Sequence, residues 1–146
     1  MRKLLYSMMT VALLASCDIE TSDNGQLDGF WQLNQVDTLA TGGTTDMHES
    51  MVYWAFQNKL LEISHLTNVE GRGDNYFFRF HRDGTSLLIS SPYHHLWREP
   101  DEPVEYVDVL RPLGINQLEE DFHLDMLDDD ILMMNNNVLR LTFVKY

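Results

Sequence analysis

The chain has 146 residues, 44% of them hydrophobic, with 10 basic against 23 acidic residues and a formal net charge of −13. That length and apolar content suit one domain with a real hydrophobic core. The acidic balance argues against nucleic acid as a partner and against anionic headgroups, because a surface of that sign repels phosphate.

The N-terminus has the order of features of a signal peptide. Met1-Arg2-Lys3 is a basic start, and Leu4 to Leu14 is an uncharged apolar run of signal-peptide length, too short for a bilayer core that takes about 20 residues. Leu14-Ala15-Ser16-Cys17 then resembles a bacterial lipobox, the cleavage and lipidation site of lipoproteins. The resemblance implies a lipoprotein signal peptide over residues 1–16, a diacylglycerol thioether on Cys17, and acylation, for example by palmitate, of its new amine.

Cys17 is the only cysteine of the chain, so an internal disulfide is excluded. A free thiol and a buried core cysteine are the alternatives to lipidation, and the position directly after the apolar run favours lipidation. Residues 18–28, DIETSDNGQLD, are polar and acidic. We therefore expect residues 17–28 to form the lipidated N-terminus and a flexible tether, and residues 29–146 to form the domain.

From residue 29 onward the apolar residues alternate with a period of two, which is typical of strands with one buried face. Predicted strands begin at Trp31 and continue over residues 52–57, 59–66, 76–82, 85–91, 122–127, 131–134 and 138–146. Asp83-Gly84, Asp128–Asp130 and Asn135–Asn137 are turn signals between them. The pattern predicts an all-β fold, an antiparallel barrel or a sandwich.

Two segments lack this alternation. Thr38 to Ser50 is rich in glycine and threonine and predicts a loop, with a helical turn begun by Asp46 as an alternative. Residues 99–117 begin with a proline-rich acidic stretch. The apolar spacing within residues 104–115 fits either a strand or a short helix, and we favour a loop with a short helix or a 3₁₀ turn.

Gly29-Phe30-Trp31 opens the first strand and matches the G-x-W signature of lipocalins. With an L-x-x-x-G-I connection at Leu110–Ile115 and a final strand at Leu139–Tyr146, the layout resembles the lipocalin-like domains of small bacterial lipoproteins. The resemblance implies an up-and-down barrel of about eight strands whose closed end holds the tryptophan. It also implies a basic residue of the last strand packed over that ring, for which Arg140 is the nearest candidate and Lys145 the alternative.

The inward positions of such a barrel are heavy in aromatic side chains. They are Trp31, Trp54, Phe56, Phe78, Phe80, Phe122 and Phe143. One interpretation is an aromatic-lined pocket for a small apolar ligand. The alternative is a packed core without a cavity.

Other short motifs point to no cofactor and no metal. His94-His95 could share an ion only in a loop, since neighbours on a strand point to opposite faces, and Pro92 is compatible with a loop. The acidic run Asp125–Asp130 lacks the spacing of a calcium loop. Arg72-Gly73-Asp74 is an integrin-type tripeptide placed where a turn is expected anyway. No G-x-S-x-G elbow is present, so we do not expect an enzyme.

We therefore expect a membrane-anchored lipocalin-like lipoprotein that binds a small apolar ligand or a lipid. The alternative is a filled barrel that docks a protein partner through its surface, as an accessory subunit or an inhibitor. Either would sit in the cell envelope of a Gram-negative-type bacterium, with inner membrane, outer membrane and cell surface left open. We expect Trp97, in a proline-flanked loop, to be partly exposed and to serve partner binding or gating of the barrel mouth.

Overall fold

A computed structural model describes residues 22–66 and 73–146. Its strands are β1 (Gly29–Thr38), β2 (Gly43–Asp46), β3 (Val52–Gln57), β4 (Leu60–Leu66), β5 (Gly73–Asp83), β6 (Ser86–His95), β7 (Glu102–Pro103), β8 (Glu120–Leu127), β9 (Ile131–Asn135) and β10 (Leu139–Lys145). These ranges also contain 3₁₀ turns at Gly25–Leu27, Val107–Val109 and Arg111–Leu113, and none of their helices has the length and apolarity to cross a bilayer. The predicted signal peptide, Cys17 and Arg72 lie outside the described residues.

Eight of the strands close into an antiparallel barrel. Strands β3 to β6 and β8 to β10 pair in chain order, β6 pairs with β8, and β1 pairs with β3 on one side and β10 on the other. The short strands β2 and β7 extend β1 and β6 at one end. We call that end the mouth and the opposite end, where β1 begins, the closed end. The predicted all-β, up-and-down barrel of about eight strands is confirmed.

The cap of the closed end is built around Trp31. Its indole nitrogen donates to the carbonyl of Leu27 at 2.9 Å, and both side chains are fully buried. The Lys145 ammonium lies 4.2 Å from the centre of the Trp31 ring, a cation–π contact. Arg140 was the wrong candidate for this role, because it faces outward, where its Nε donates to Asp125 at 3.4 Å.

Gly29 is required at the start of β1 for two reasons. Its φ of +123° is in a region that side chains avoid. A Cβ atom there would also lie 2.8 Å from the Lys145 ammonium. A larger residue would therefore push Lys145 off the Trp31 ring, which explains the G-x-W pattern in terms of packing.

Residues 24–28 belong to the fold, which contradicts the predicted tether over residues 17–28 in that part. Leu27 is fully buried beneath the barrel and Asn24 is 8% exposed. The Asn24 amide donates to the backbone carbonyl of Asn58 and to the Asp28 carboxylate, both at 2.7 Å. A single leucine in a polar run has no periodicity, so the pattern of the sequence could not reveal this contact.

Residues 104–119 fill the mouth, and we call them the plug. The expected short helix or 3₁₀ turn is found here as the two 3₁₀ turns Val107–Val109 and Arg111–Leu113. Leu110, Leu113 and Ile115 are 0–2% exposed within the core. The plug therefore supplies core side chains from a segment that is neither strand nor long helix.

The β1–β2 hairpin replaces the loop expected over Thr38 to Ser50. Gly43–Asp46 pairs with Gln35–Thr38 along the mouth. All four residues of β2 are exposed. A strand with no buried face has no alternation of apolar residues, so its sequence resembles a loop.

Candidate functional site

The barrel interior is packed. The seven predicted interior aromatic residues are all between 0 and 6% exposed. The Trp54 ring lies 5.1 Å from Phe143 and 6.1 Å from Phe122, measured between centroids, and its indole nitrogen donates to the plug at the Leu113 carbonyl at 3.2 Å. Four grooves formed by the described residues all open to solvent, and none is lined by Trp31, Trp54 or Phe143. Ring contacts join five of these aromatic residues, three of which also border one groove each, and an internal ligand would have to displace part of this packing.

A buried carboxylate fixes the plug to the barrel. Glu120 is 6% exposed and accepts hydrogen bonds from the backbone of Asn116, at 2.8 Å, and from the side chain of Asn136. Burial raises the pKa of the Glu120 carboxyl, and these hydrogen bonds oppose the rise. Glu120 joins the end of the plug to the β9–β10 turn.

Trp97 is the largest apolar side chain at the mouth that the barrel leaves uncovered. It is 70% exposed and lies in the turn between β6 and β7, in agreement with the expectation from the sequence. The His95 ring meets it edge to face at 4.9 Å, and His95 Nδ1 lies 2.8 Å from the Asp101 carboxylate. The backbone nitrogen of Leu96 donates to the same carboxylate at 3.4 Å. These contacts brace the backbone just before Trp97, while its indole touches the His95 ring at one edge.

A second histidine–carboxylate pair lies on the opposite face of the same strand. His94 stacks on Tyr76 at 4.9 Å, and its Nε2 lies 3.4 Å from Asp74. Burial, and then the charge of Asp74, raise the pKa of the Tyr76 hydroxyl. The hydroxyl therefore stays protonated at neutral pH.

His94 and His95 end strand β6 and do not lie in the loop that Pro92 suggested. Strand β6 passes Pro92 through a bulge, with Ser91 at φ +55°, so the chain stays paired with β5. The two imidazoles consequently point to opposite faces and cannot share an ion. Within residues 22–66 and 73–146, no group of three or more potential metal ligands is found.

The mouth surface combines a groove with scattered apolar side chains. The groove, of about 850 Å³, is lined by Gly73, Asp74, His95, Leu96, Trp97, Arg98 and Glu99. At the same end Leu39, Met51, Tyr106, Val109 and Val138 are between 39 and 74% exposed. We call the groove and these five residues the mouth surface.

The two histidines of the mouth are paired with carboxylates. In the described part of the chain, no serine, threonine or cysteine side chain hydrogen-bonds to His94 or His95. The carboxylates orient the imidazoles, and no hydroxyl or thiol is placed beside them for activation as in a serine or cysteine hydrolase. Tryptophan is among the residues that are enriched where proteins bind one another.

A family model described as a lipocalin-like domain matches residues 12–146. The chain belongs to this lipocalin-like family. A crystal structure of a lipocalin-like protein from Bacteroides uniformis ATCC 8492 superposes with a TM-score of 0.63 at 18% identity, covering 84% of this chain and 100% of that one. An uncharacterized protein from Bacteroides eggerthii DSM 20697 gives a TM-score of 0.62 at 16% identity, covering 82% and 99%. At such identities the likeness shows the fold alone. A search of curated proteins found no significant match.

The carboxylates that pair with His94 and His95 in this lipocalin-like domain could not be identified from the sequence. Asp101 follows His95 by six residues, and Asp74 precedes His94 by twenty. Neither spacing belongs to a known local motif, because turns and strand pairing bring the groups together. The one usable signal was an aromatic residue, Trp97, in a proline-flanked segment with nothing periodic around it.

Proposed function

We propose that this lipocalin-like domain is a non-enzymatic binding module, held in the bacterial cell envelope by a lipid on Cys17, whose filled barrel presents the mouth surface to a protein partner. The observation that carries the proposal is the plug. Leu110, Leu113 and Ile115 occupy the volume in which a barrel of this kind would receive a small molecule. A partner would therefore contact the mouth surface.

The mouth surface has properties that are found at the centre of protein interfaces. Tryptophan is among the residues that contribute most to binding when a partner covers them. The backbone beside Trp97 is braced before binding, because Asp101 contacts His95 and the Leu96 nitrogen, so less ordering of the loop is required when a partner binds. The net charge of −13 favours a partner whose contacting surface is not acidic.

A small apolar ligand or a lipid inside the barrel is the second candidate function. It is favoured by the aromatic character of the interior and by the plug being a distinct segment, tied to the wall by Glu120 and by the Trp54–Leu113 hydrogen bond. Binding would require the plug to leave. A fluorescent apolar probe distinguishes the two functions, since a filled barrel should give no saturable binding of one probe per chain.

We expect a photo-crosslinking amino acid at position 98, beside Trp97 in the groove at the mouth, to give one discrete adduct of the anchored protein in cells. The same amino acid at Met126, which is 47% exposed on β8 far from the mouth, is the matched control and should give none. Purified wild-type domain should compete for the adduct. The Trp97→Ala domain should compete about tenfold or more weakly, with its free energy of unfolding changed by only about 0.5 kcal/mol. Equal adducts at both positions, together with saturable probe binding, would favour the internal ligand.

We expect Cys17→Ala to abolish acylation and signal-peptide cleavage. The reason is chemical, because the thiol is the nucleophile that accepts the lipid and alanine has none. Incorporation of radiolabelled palmitate and the mass of the intact chain measure the outcome, with Ser16→Ala as a control that keeps a small residue before Cys17. Normal labelling of the Cys17→Ala protein would exclude the lipoprotein assignment. For the wild-type protein, protease treatment of intact cells distinguishes a location on the cell surface from one at the inner membrane.

A further inference from the structure

A groove at the closed end lies where the anchored segment enters the fold. It has a volume of about 1130 Å³ and is lined by Ser22, Asp23, Asn24, Gly25, Asn58, Lys59, Leu60, Phe80, His81, Arg82 and Gly84. Ser22 is the first described residue and follows Cys17 by five positions. A lipid on Cys17 would therefore be covalently close to this end of the barrel.

The length of the chain limits how the barrel can stand on a membrane. Because residues 24–28 are packed on the barrel, none of them can lengthen the linker. The seven residues from Cys17 to Asn24 reach at most about 25 Å when fully extended. Strand β1, with ten residues, measures about 33 Å along its own axis. An anchor at Cys17 thus keeps the closed end within about 25 Å of the headgroups, less than the length of one strand.

Basic side chains are concentrated at one edge of the closed end. Lys59 and Arg82 line the groove, and Arg79 lies opposite Leu60 across the β4–β5 pair. All three basic residues are exposed, and none forms an ion pair with another described residue. The Arg82 guanidinium donates to the carbonyls of Asn24 and Gly84, both at 3.1 Å, which fixes its position without an ion pair. We call Lys59, Arg79 and Arg82 the basic edge.

The acidic groups of the closed end are divided between its two sides. Asp128, Asp129 and Asp130 form the β8–β9 turn, and Asp129 accepts a hydrogen bond from Gln26 at 3.1 Å. Asp23, Asp28 and Asp83 lie near the basic edge, and the Asp28 carboxylate accepts from the side chain of Asn24, whose backbone carbonyl accepts from Arg82. The β8–β9 turn is therefore acidic alone, whereas the basic edge combines three basic side chains with the nearby carboxylates. Leu60, between the basic residues, is 48% exposed.

We propose that the basic edge docks on the phosphate groups of the phospholipid bilayer that carries the Cys17 anchor. Leu60 meets the interface, the Asp128–Asp130 turn tilts away from it, and the mouth with Trp97 faces away from the membrane. Each basic side chain near an anionic surface contributes roughly a fivefold shift toward the docked state. The anchor keeps the edge at high local concentration, so contacts this weak are sufficient. The inference rests on the proposed lipidation, and its test is independent of the natural lipid.

The mature chain is produced with a free Cys17 thiol and coupled to a maleimide lipid in vesicles, which replaces enzymatic acylation. Vesicles of phosphatidylcholine with phosphatidylglycerol are compared with phosphatidylcholine alone, and hydrogen–deuterium exchange is followed by mass spectrometry. We expect slower exchange over residues 57–61 and 79–84 on the anionic vesicles only, and unchanged exchange over residues 95–103. In about 1 M salt, where the Debye length falls to about 3 Å, the protection should disappear.

Lys59→Glu/Arg79→Glu should reduce the docking equilibrium by about 25-fold or more, since two contributions of roughly fivefold are removed. The matched control is Arg111→Glu, a charge reversal at an exposed position of the plug, and it should leave the protection unchanged. Protection at the mouth, or protection equal on neutral and anionic vesicles, would overturn the proposal. Failed palmitate labelling in cells would instead overturn the lipoprotein assignment, and this experiment would be unaffected.

Discussion

Replacing Trp31 by alanine is expected to lower the free energy of unfolding by about 3–5 kcal/mol, the usual result of removing a large buried aromatic side chain. The indole is fully buried, and it also donates to the Leu27 carbonyl and supports the Lys145 ammonium. A domain of this size typically has about 5–15 kcal/mol of stability. The variant should therefore be severely destabilised or fail to accumulate.

Trp97→Ala is the matched control, because the same side chain is removed from a site that is 70% exposed. Urea melts of the two variants give the comparison, with equal m-values required before their midpoints are compared. We expect Trp97→Ala to melt close to the wild type. If it lost more stability than Trp31→Ala, the placement of β1 in the barrel would be wrong.

The strands of this domain were predictable because one face of each is buried. Alternation in β5 and β8 follows directly from that geometry, and G-x-W marked the end at which the chain enters the barrel. The hairpin strand β2 was missed because it has no buried face, and Leu27 because one apolar residue has no period. The alternation of apolar residues therefore predicted the strands of the barrel wall. It predicted neither strand β2 at the mouth nor the burial of Leu27 at the closed end.

The charge of the chain illustrates the same limit. A net charge of −13 predicts a surface that repels anionic headgroups, and on average it does. Lys59, Arg79 and Arg82 are separated by up to 23 positions in the sequence, and only the pairing of β4 with β5 brings them to one edge. At physiological salt, exposed charges more than about 8 Å apart are largely screened from each other. The arrangement of neighbouring charges is therefore more important here than the net charge of the chain.

The two ends of the barrel are closed in different ways. At the closed end the Gly25–Leu27 turn, Trp31 and Lys145 complete the core where the chain enters the barrel. At the mouth the plug completes the core and leaves Trp97 to solvent. In the proposed function, this polarity places the membrane at one end and the partner at the other.

Leu113→Ala is expected to cost about 2–5 kcal/mol of stability, since it removes a side chain that is 2% exposed from the centre of the plug. Its backbone carbonyl accepts the Trp54 indole hydrogen bond, which the substitution keeps, so the loss reports packing alone. Val109→Ala, in the preceding 3₁₀ turn of the same segment and 52% exposed, is the control and should change stability by only about 0.5 kcal/mol.

The same pair of variants tests what the plug does. If the plug is a permanent part of the core, Leu113→Ala leaves a small apolar cavity, and binding of an apolar probe should appear or rise in this variant alone. If the plug instead closes a ligand site, wild type and Val109→Ala should already bind the probe saturably, and Leu113→Ala should only tighten binding by favouring the open state. Equal unfolding free energies for the two alanine variants would contradict the placement of Leu113 in the core and, with it, the filled barrel.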